Sequence, residues 1–121
     1  MSIDLIFIQR NLPLFLEGMR ITVLLAVLAI AISLLWGLVI ALARMSRFRV
    51  LRFLGGAYVE IVRNTPVLVQ IYFIYFGFAV LGFHISGFLS ALIALAAQNG
   101  GYLAEIYRAG IQSISIKQVE G

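Results

Sequence analysis

With 121 residues, 63% of them hydrophobic, a mean hydropathy of +1.07 and only 12% charged, the sequence excludes an ordinary soluble domain, in which about a quarter of residues are charged. Nine basic and five acidic residues give a net charge of +4, and where these charges fall matters more than their sum. There is no cysteine, which excludes thiol chemistry and a disulfide framework and leaves the redox compartment open.

Three spans of about 20 residues nearly use up the length. The sequence therefore reads as an all-α integral membrane protein, and as one part of a larger assembly or of a longer polypeptide. Residues 1–20 mix apolar side chains with Asp4, Arg10, Glu17 and Arg20, and Pro13 is expected to interrupt any single helix there. This segment is placed at a membrane surface. The first span, residues 21–43, carries no charge and is long enough to cross with some tilt. Within it Ala29, Ser33, Gly37 and Ala41 recur at every fourth position, a face of small side chains that another helix can approach closely. A secretory signal peptide is disfavoured, because the apolar run is too long and the positive charges follow it.

Residues 44–65 hold Arg44, Arg47, Arg49, Arg52 and Arg63 against a single acid, Glu60. The positive-inside rule places this basic segment in the cytoplasm and the amino terminus outside. Phe48, Leu51, Phe53 and Leu54 interleave with the arginines, as in a helix lying along the inner headgroups, so membrane lipid is an expected partner and nucleic acid is not. Glu60 and Arg63 sit at i, i+3 spacing and are expected to form a structural ion pair. Asn64 or Thr65 is the expected cap of a helix that begins at Pro66.

The second span, residues 66–83, contains one amide, Gln70, which faces either a polar path or a neighbouring helix. The short stretch from Gly82 to Gly87 reads as a turn. His84 within it is a surface residue, with no second metal-binding side chain nearby, so no metal site and no cofactor are expected. The third span, residues 88–108, places Asn99 ~17 Å deep, close to mid-bilayer. Gly100 and Gly101 follow it and mark a bend or a close approach. Gln98, Tyr102, Glu105 and Gln112 share one helical stripe, which suggests a solute path or a buried contact; the path is preferred for Asn99 and Glu105. Arg108, near the inner surface, is expected to snorkel to the headgroups. Residues 111–121 are polar and amphipathic and carry no stop signal, so the chain reads as unfinished.

Two blocks of this sequence resemble the membrane permease subunits of bacterial ATP-binding-cassette importers for polar amino acids. They are Ala57-Tyr58-Val59-Glu60-Ile61-Val62-Arg63-Asn64-Thr65-Pro66-Val67-Leu68-Val69-Gln70, and Gly101-Tyr102-Leu103-Ala104-Glu105-Ile106-Tyr107-Arg108-Ala109-Gly110-Ile111. Leu16-Glu17-Gly18 with Thr22, Phe73-Ile74-Tyr75-Phe76-Gly77 and Gln112-Ser113-Ile114 extend the likeness over nearly all of the chain. The resemblance implies a five-span core, of which this chain would hold the first three helices, incomplete at the C-terminus, in a bacterial inner membrane with the amino terminus outside. It also implies a second permease subunit, identical or paralogous, two cytoplasmic ATP-binding subunits, and a periplasmic or lipid-anchored amino-acid-binding protein. The chain itself would be a transport subunit with no catalytic residue, ATP hydrolysis falling to the partners.

By position, the resemblance makes Asn99, Glu105 and Gln70 the candidates for the substrate path. Glu120 matches the family glutamate that opens the coupling helix, with Gly121 where an alanine is usual and Ser115 and Lys117 where proline and glycine are usual. The alternative reading is a small structural or regulatory membrane protein whose small-residue face binds a larger membrane complex. An intramembrane enzyme ranks below both, since no Ser/His/Asp, two-carboxylate or metal constellation is present in the sequence.

Overall fold

The computed structural model describes the backbone of residues 2–120 and the side-chain surroundings of residues 3–114. Four helices follow one another: α1 (Ser2–Arg44), α2 (Arg49–Asn64), α3 (Val67–Val80) and α4 (Gly87–Glu120), with no strand among the described residues. At 1.5 Å per residue, the 43 residues of α1 extend ~65 Å, about twice the thickness of a hydrocarbon core. Among the described residues, α1 is the one helix long and apolar enough by itself to cross a membrane; α3 is apolar but shorter.

Pro13 does not break α1, which runs through it as one helix. A proline forfeits one backbone hydrogen bond and crowds the preceding turn, a local cost of ~3 kcal/mol, and the long uninterrupted runs on either side carry the helix across it. At the other end, α1 closes with Met45 N–H on the Ala41 carbonyl and Ser46 N–H on that of Ala43, at 3.1 and 3.2 Å. The Ser46 hydroxyl then accepts from Phe48 N–H at 3.1 Å, turning the chain into α2.

The core is a seam between α1 and α4, the most extensive contact in the molecule. Ala29, Ser33, Gly37 and Ala41 are all buried, as are Ser90, Ala94, Gly100 and Ala104 of α4; Gly37 faces Gly100 and Ala104, and Ala41 clusters with Ala104, while the buried Gly101 faces Val59 and Val62 of α2. The expected small-residue face therefore finds its partner within the same chain. The seam is tight. A Cβ on Gly37 would stand 2.9 Å from Leu103 Cβ and 3.0 Å from the Gly100 carbonyl oxygen, and one on Gly100 would stand 2.6 Å from Trp36 Cδ1. Of the two outcomes expected at Gly100-Gly101, close approach is the one observed, and α4 stays helical through both. With no bulky side chain between them, the backbones gain dispersion contact where hydrophobic transfer contributes little, as for helices in lipid. The Ser33 hydroxyl is satisfied within α1, donating to the Ala29 carbonyl.

α2 packs its Gly55, Val59 and Val62 face on α1 and α4. Its end departs from expectation. Pro66 is the residue before α3, not its first helical residue, and neither Asn64 nor Thr65 caps α3. Both side chains turn back instead: Asn64 Nδ2 donates to the Glu60 carbonyl at 2.8 Å and the Thr65 hydroxyl to that of Ile61 at 2.7 Å. The carbonyls at the end of α2 need donors, and Pro66 has no N–H to give.

α3 stops three residues short of the expected boundary because Gly82 adopts a left-handed φ of +94°. Gly82 N–H reaches the Ala79 carbonyl at 3.1 Å and Phe83 N–H that of Phe78 at 2.8 Å, while the Phe78 and Phe83 rings meet edge to face. This is a Schellman motif with its hydrophobic contact, and it makes the turn before α4. There Ser86 Oγ accepts from Leu89 N–H at 3.0 Å, capping a helix that then runs unbroken to Glu120. The boundary expected near residue 108 is thus absent from the helix itself.

Candidate functional site

The charged residues of the sequence converge where α1 ends, α2 passes and α4 descends. A cleft of about 450 Å³ is lined there by Arg44, Gly56, Val59, Glu60, Arg63, Asn64, Tyr102, Glu105 and Arg108. Glu105 is its centre. One carboxylate oxygen, Oε2, accepts from Arg108 Nη2 at 2.8 Å and Nε at 3.3 Å; the other, Oε1, is paired with Arg44 Nη1. The Glu105 side chain is 20% exposed, and its arginines 24% and 31%. Such a partly buried carboxylate is held by two opposite charges because leaving it unpaired in a low-dielectric setting is costly.

Arg108 therefore does not snorkel. The i, i+3 spacing on α4 brings it onto Glu105, where a charge-assisted bond is worth more than partial hydration. Arg44 belongs to the same triad, although it reads in the sequence as one member of a basic run. The signal was its spacing: Arg44 lies three residues beyond Ala41, on the buried face of α1 rather than with the exposed Arg47, Arg49 and Arg52. Gly55 makes room for its stem, since a Cβ there would stand 2.9 Å from Arg44 Cγ.

The expected Glu60–Arg63 ion pair is not formed; the pairs among the described residues are Glu17–Arg20, Arg44–Glu105 and Glu105–Arg108. The reason lies on α4. The Arg63 guanidinium stands over the Tyr102 ring, 5.4 Å from its centroid, a cation–π contact that draws it away from Glu60. The cleft holds three guanidiniums, of Arg44, Arg63 and Arg108, and two carboxylates, of Glu60 and Glu105. Glu60 is exposed.

Gln70 lies outside this cleft. Its Nε2 donates to the Thr65 carbonyl at 3.0 Å and the Val62 carbonyl at 3.2 Å, supplying the donors that the end of α2 lacks. Of its two readings, the structure favours the contact with a neighbouring helix. Asn99 stands apart as well, on the far side of Tyr102. With Ile30, Ser33, Leu34, Tyr102, Leu103 and Ile106 it lines a shallow groove between α1 and α4 of about 350 Å³. Its amide makes no hydrogen bond among the described residues, an uncommitted polar group in an apolar setting. The backbone of Glu120 ends α4, and its side chain lies outside the described residues. Among the described residues no cluster of His, Cys, Asp or Glu could hold a metal ion.

Above the cleft, Trp36 Nε1 donates to the Tyr58 hydroxyl at 2.8 Å, and Tyr58 donates to the Ala97 carbonyl at 2.9 Å. Sequence reading passed over this relay. Trp36 is the one tryptophan of the sequence, but nothing local pairs it with Tyr58, and their 22-residue separation closes only when α2 folds back on the seam.

Comparison with known proteins places this arrangement. Residues 33–121 match the family model described as binding-protein-dependent transport system inner membrane component. The chain is 37% identical over 120 residues to the probable glutamine ABC transporter permease protein GlnM of Bacillus subtilis (strain 168), and 36% identical over 121 residues to the arginine transport system permease protein ArtQ of the same organism. In each case 99% of this chain and 55% of the relative are covered, so the chain spans about half the length of these relatives. A crystal structure of an amino acid ABC transporter with histidines superposes with a TM-score of 0.89 at 39% identity, covering 99% of this chain and 56% of that one. The chain belongs to the family of binding-protein-dependent transport system inner membrane components.

Proposed function

We propose that the chain is part of the transmembrane permease subunit of an ATP-driven, binding-protein-dependent importer of polar amino acids. The observation that carries this reading is the likeness to an amino acid ABC transporter structure over 99% of the chain, which a small unrelated structural or regulatory membrane protein gives no reason to expect. Its partners are then a second permease subunit, two cytoplasmic ATP-binding subunits and an external amino-acid-binding protein. The amino terminus lies outside and the arginine-rich turn between α1 and α2 inside.

In this reading the chain does no covalent chemistry. ATP binding on the partners favours one of two permease conformations, and the solute crosses as the opening alternates. A zwitterionic solute needs polar groups in place of water. Asn99 offers an unengaged amide for that purpose. Glu105 is already held by Arg44 and Arg108, so its part is to set the charge of the cytoplasmic mouth and to fix α1 against α4; Gln70 is structural. Glu120 remains the candidate contact with the ATP-binding subunits.

The test is ATP-dependent uptake of labelled polar amino acids into liposomes containing the full-length permease, its ATP-binding subunits and its binding protein. Uptake is expected for at least one of them, and Asn99→Ala is expected to raise KM about tenfold with the amount of assembled complex unchanged. If no polar amino acid is taken up, the functional reading is wrong. If uptake is normal in Asn99→Ala, the residue is not on the path.

A further inference from the structure

The turn between α1 and α2 and the first half of α2 carry Arg47, Arg49 and Arg52, all exposed and none in an ion pair among the described residues. In this they differ from Arg44, which is committed to Glu105. Beside them the surface is apolar: Phe48 is 58% exposed, Val50 69% and Phe53 72%. At about 100° per residue, α2 divides into three sectors. Gly55, Val59 and Val62 face α1 and α4. Arg49 and Arg52 flank that buried sector. Val50, Phe53, Leu54 and Ile61 fill the remaining arc, and every one of them is exposed.

The second half of α2 packs on the seam at Trp36, Ala97 and Gly101, and its first turns, with a basic flank joined to an exposed apolar arc, have the pattern of a helix end in a membrane interface. At the turn itself the Arg47 guanidinium stands 5.3 Å from the Phe48 ring centroid, so charge and apolar surface are kept side by side.

We propose that residues 47–54 form a binding surface for anionic phospholipids. Arg47, Arg49 and Arg52 hold headgroup phosphates, which guanidinium groups engage bidentately, while Val50, Phe53 and Leu54 enter the acyl boundary. Charge complementarity selects the occupant: three guanidiniums in no ion pair among the described residues alternate with apolar side chains at one- to two-residue spacing, and an anionic bilayer surface presents phosphate beside hydrocarbon. The proposal needs the chain to lie in a membrane and is independent of which solute is carried.

The chain has no native cysteine, so Val50→Cys gives a single labelling position within it. A fluorophore is attached there in the full-length permease, assembled with its partners stripped of reactive cysteines and placed in liposomes containing brominated lipid. Brominated phosphatidylglycerol at low mole fraction is expected to quench severalfold more than the same fraction of brominated phosphatidylcholine. That excess should vanish at about 1 M salt, where the Debye length falls to about 3 Å, and in the R47Q/R49Q/R52Q variant. Equal quenching by the two lipids overturns headgroup recognition. No quenching by either, with crosslinks from Cys at position 50 to another protein chain, overturns lipid as the occupant. The salt comparison uses the native arginines and decides the matter even if the triple variant does not assemble.

Discussion

The Trp36 indole and the Tyr58 hydroxyl are joined by a 2.8 Å hydrogen bond, with the rings edge to face at a centroid separation of 5.9 Å. The Tyr58 hydroxyl in turn donates to the Ala97 carbonyl, so α1 and α2 are pinned to α4 through one phenol. Tyr58→Phe keeps the ring and removes both bonds. Losing them should destabilise the permease by ~1–2 kcal/mol, read as a lower unfolding temperature of the detergent-solubilised full-length protein. An unchanged midpoint would mean that solvent replaces the relay without penalty.

Glu105→Gln leaves Arg44 and Arg108 facing one another without a full carboxylate between them. Breaking a buried pair costs ~3–5 kcal/mol, and the residual exposure of all three side chains reduces this to ~1–3 kcal/mol. The expected result is a smaller yield of folded permease, partly restored by adding Arg108→Gln, with uptake KM within about twofold of the parent. A KM raised about tenfold at normal yield would return Glu105 to the solute path.

A Cβ at residue 101 would stand 2.5 Å from Val62 Cγ2. Gly101→Ala should therefore cost ~1–3 kcal/mol as overpacking, and Val62→Ala in the same chain should recover most of it. Thermal denaturation of the two single variants and the double variant measures the coupling. Strictly additive losses would show that the clash is relieved elsewhere.

Gln70→Leu removes the donor that serves the Val62 and Thr65 carbonyls. It should lower stability by ~1–2 kcal/mol while leaving the KM of the proposed uptake unchanged. The opposite pattern, unaltered stability with weakened affinity, would restore Gln70 as a path residue.

Much of the architecture was legible because one rule governed it. Small residues at every fourth position of α1 called for a close neighbour, and Gly100 and Ala104 supplied one within the same chain. The turn at Gly82 was legible for a similar reason, since local glycine chemistry decides it. The caps and pairs were not. Glu60 and Arg63 have suitable spacing for a pair, as do Glu105 and Arg108, yet only the second forms, because Tyr102 competes for Arg63 from another helix. Local spacing says which partners are within reach and nothing about rivals contributed by tertiary contact. Pro66 misled in the same way: the orphan carbonyls of α2 claimed Asn64, Thr65 and Gln70 before α3 could use them.

A four-residue repeat of small side chains along the seam has a degeneracy built into it. Sliding α1 by one repeat, ~6 Å along its axis, lays alanine, serine or glycine where another small residue stood, so the smooth faces themselves barely distinguish one alignment from the next. Register must come from the few positions that do not repeat: among the described residues these include the indole–phenol relay, the Tyr107 hydroxyl donating to the Leu34 carbonyl at 3.3 Å, and the carboxylate between two guanidiniums. A protein stripped of all three should keep its helices and lose their alignment.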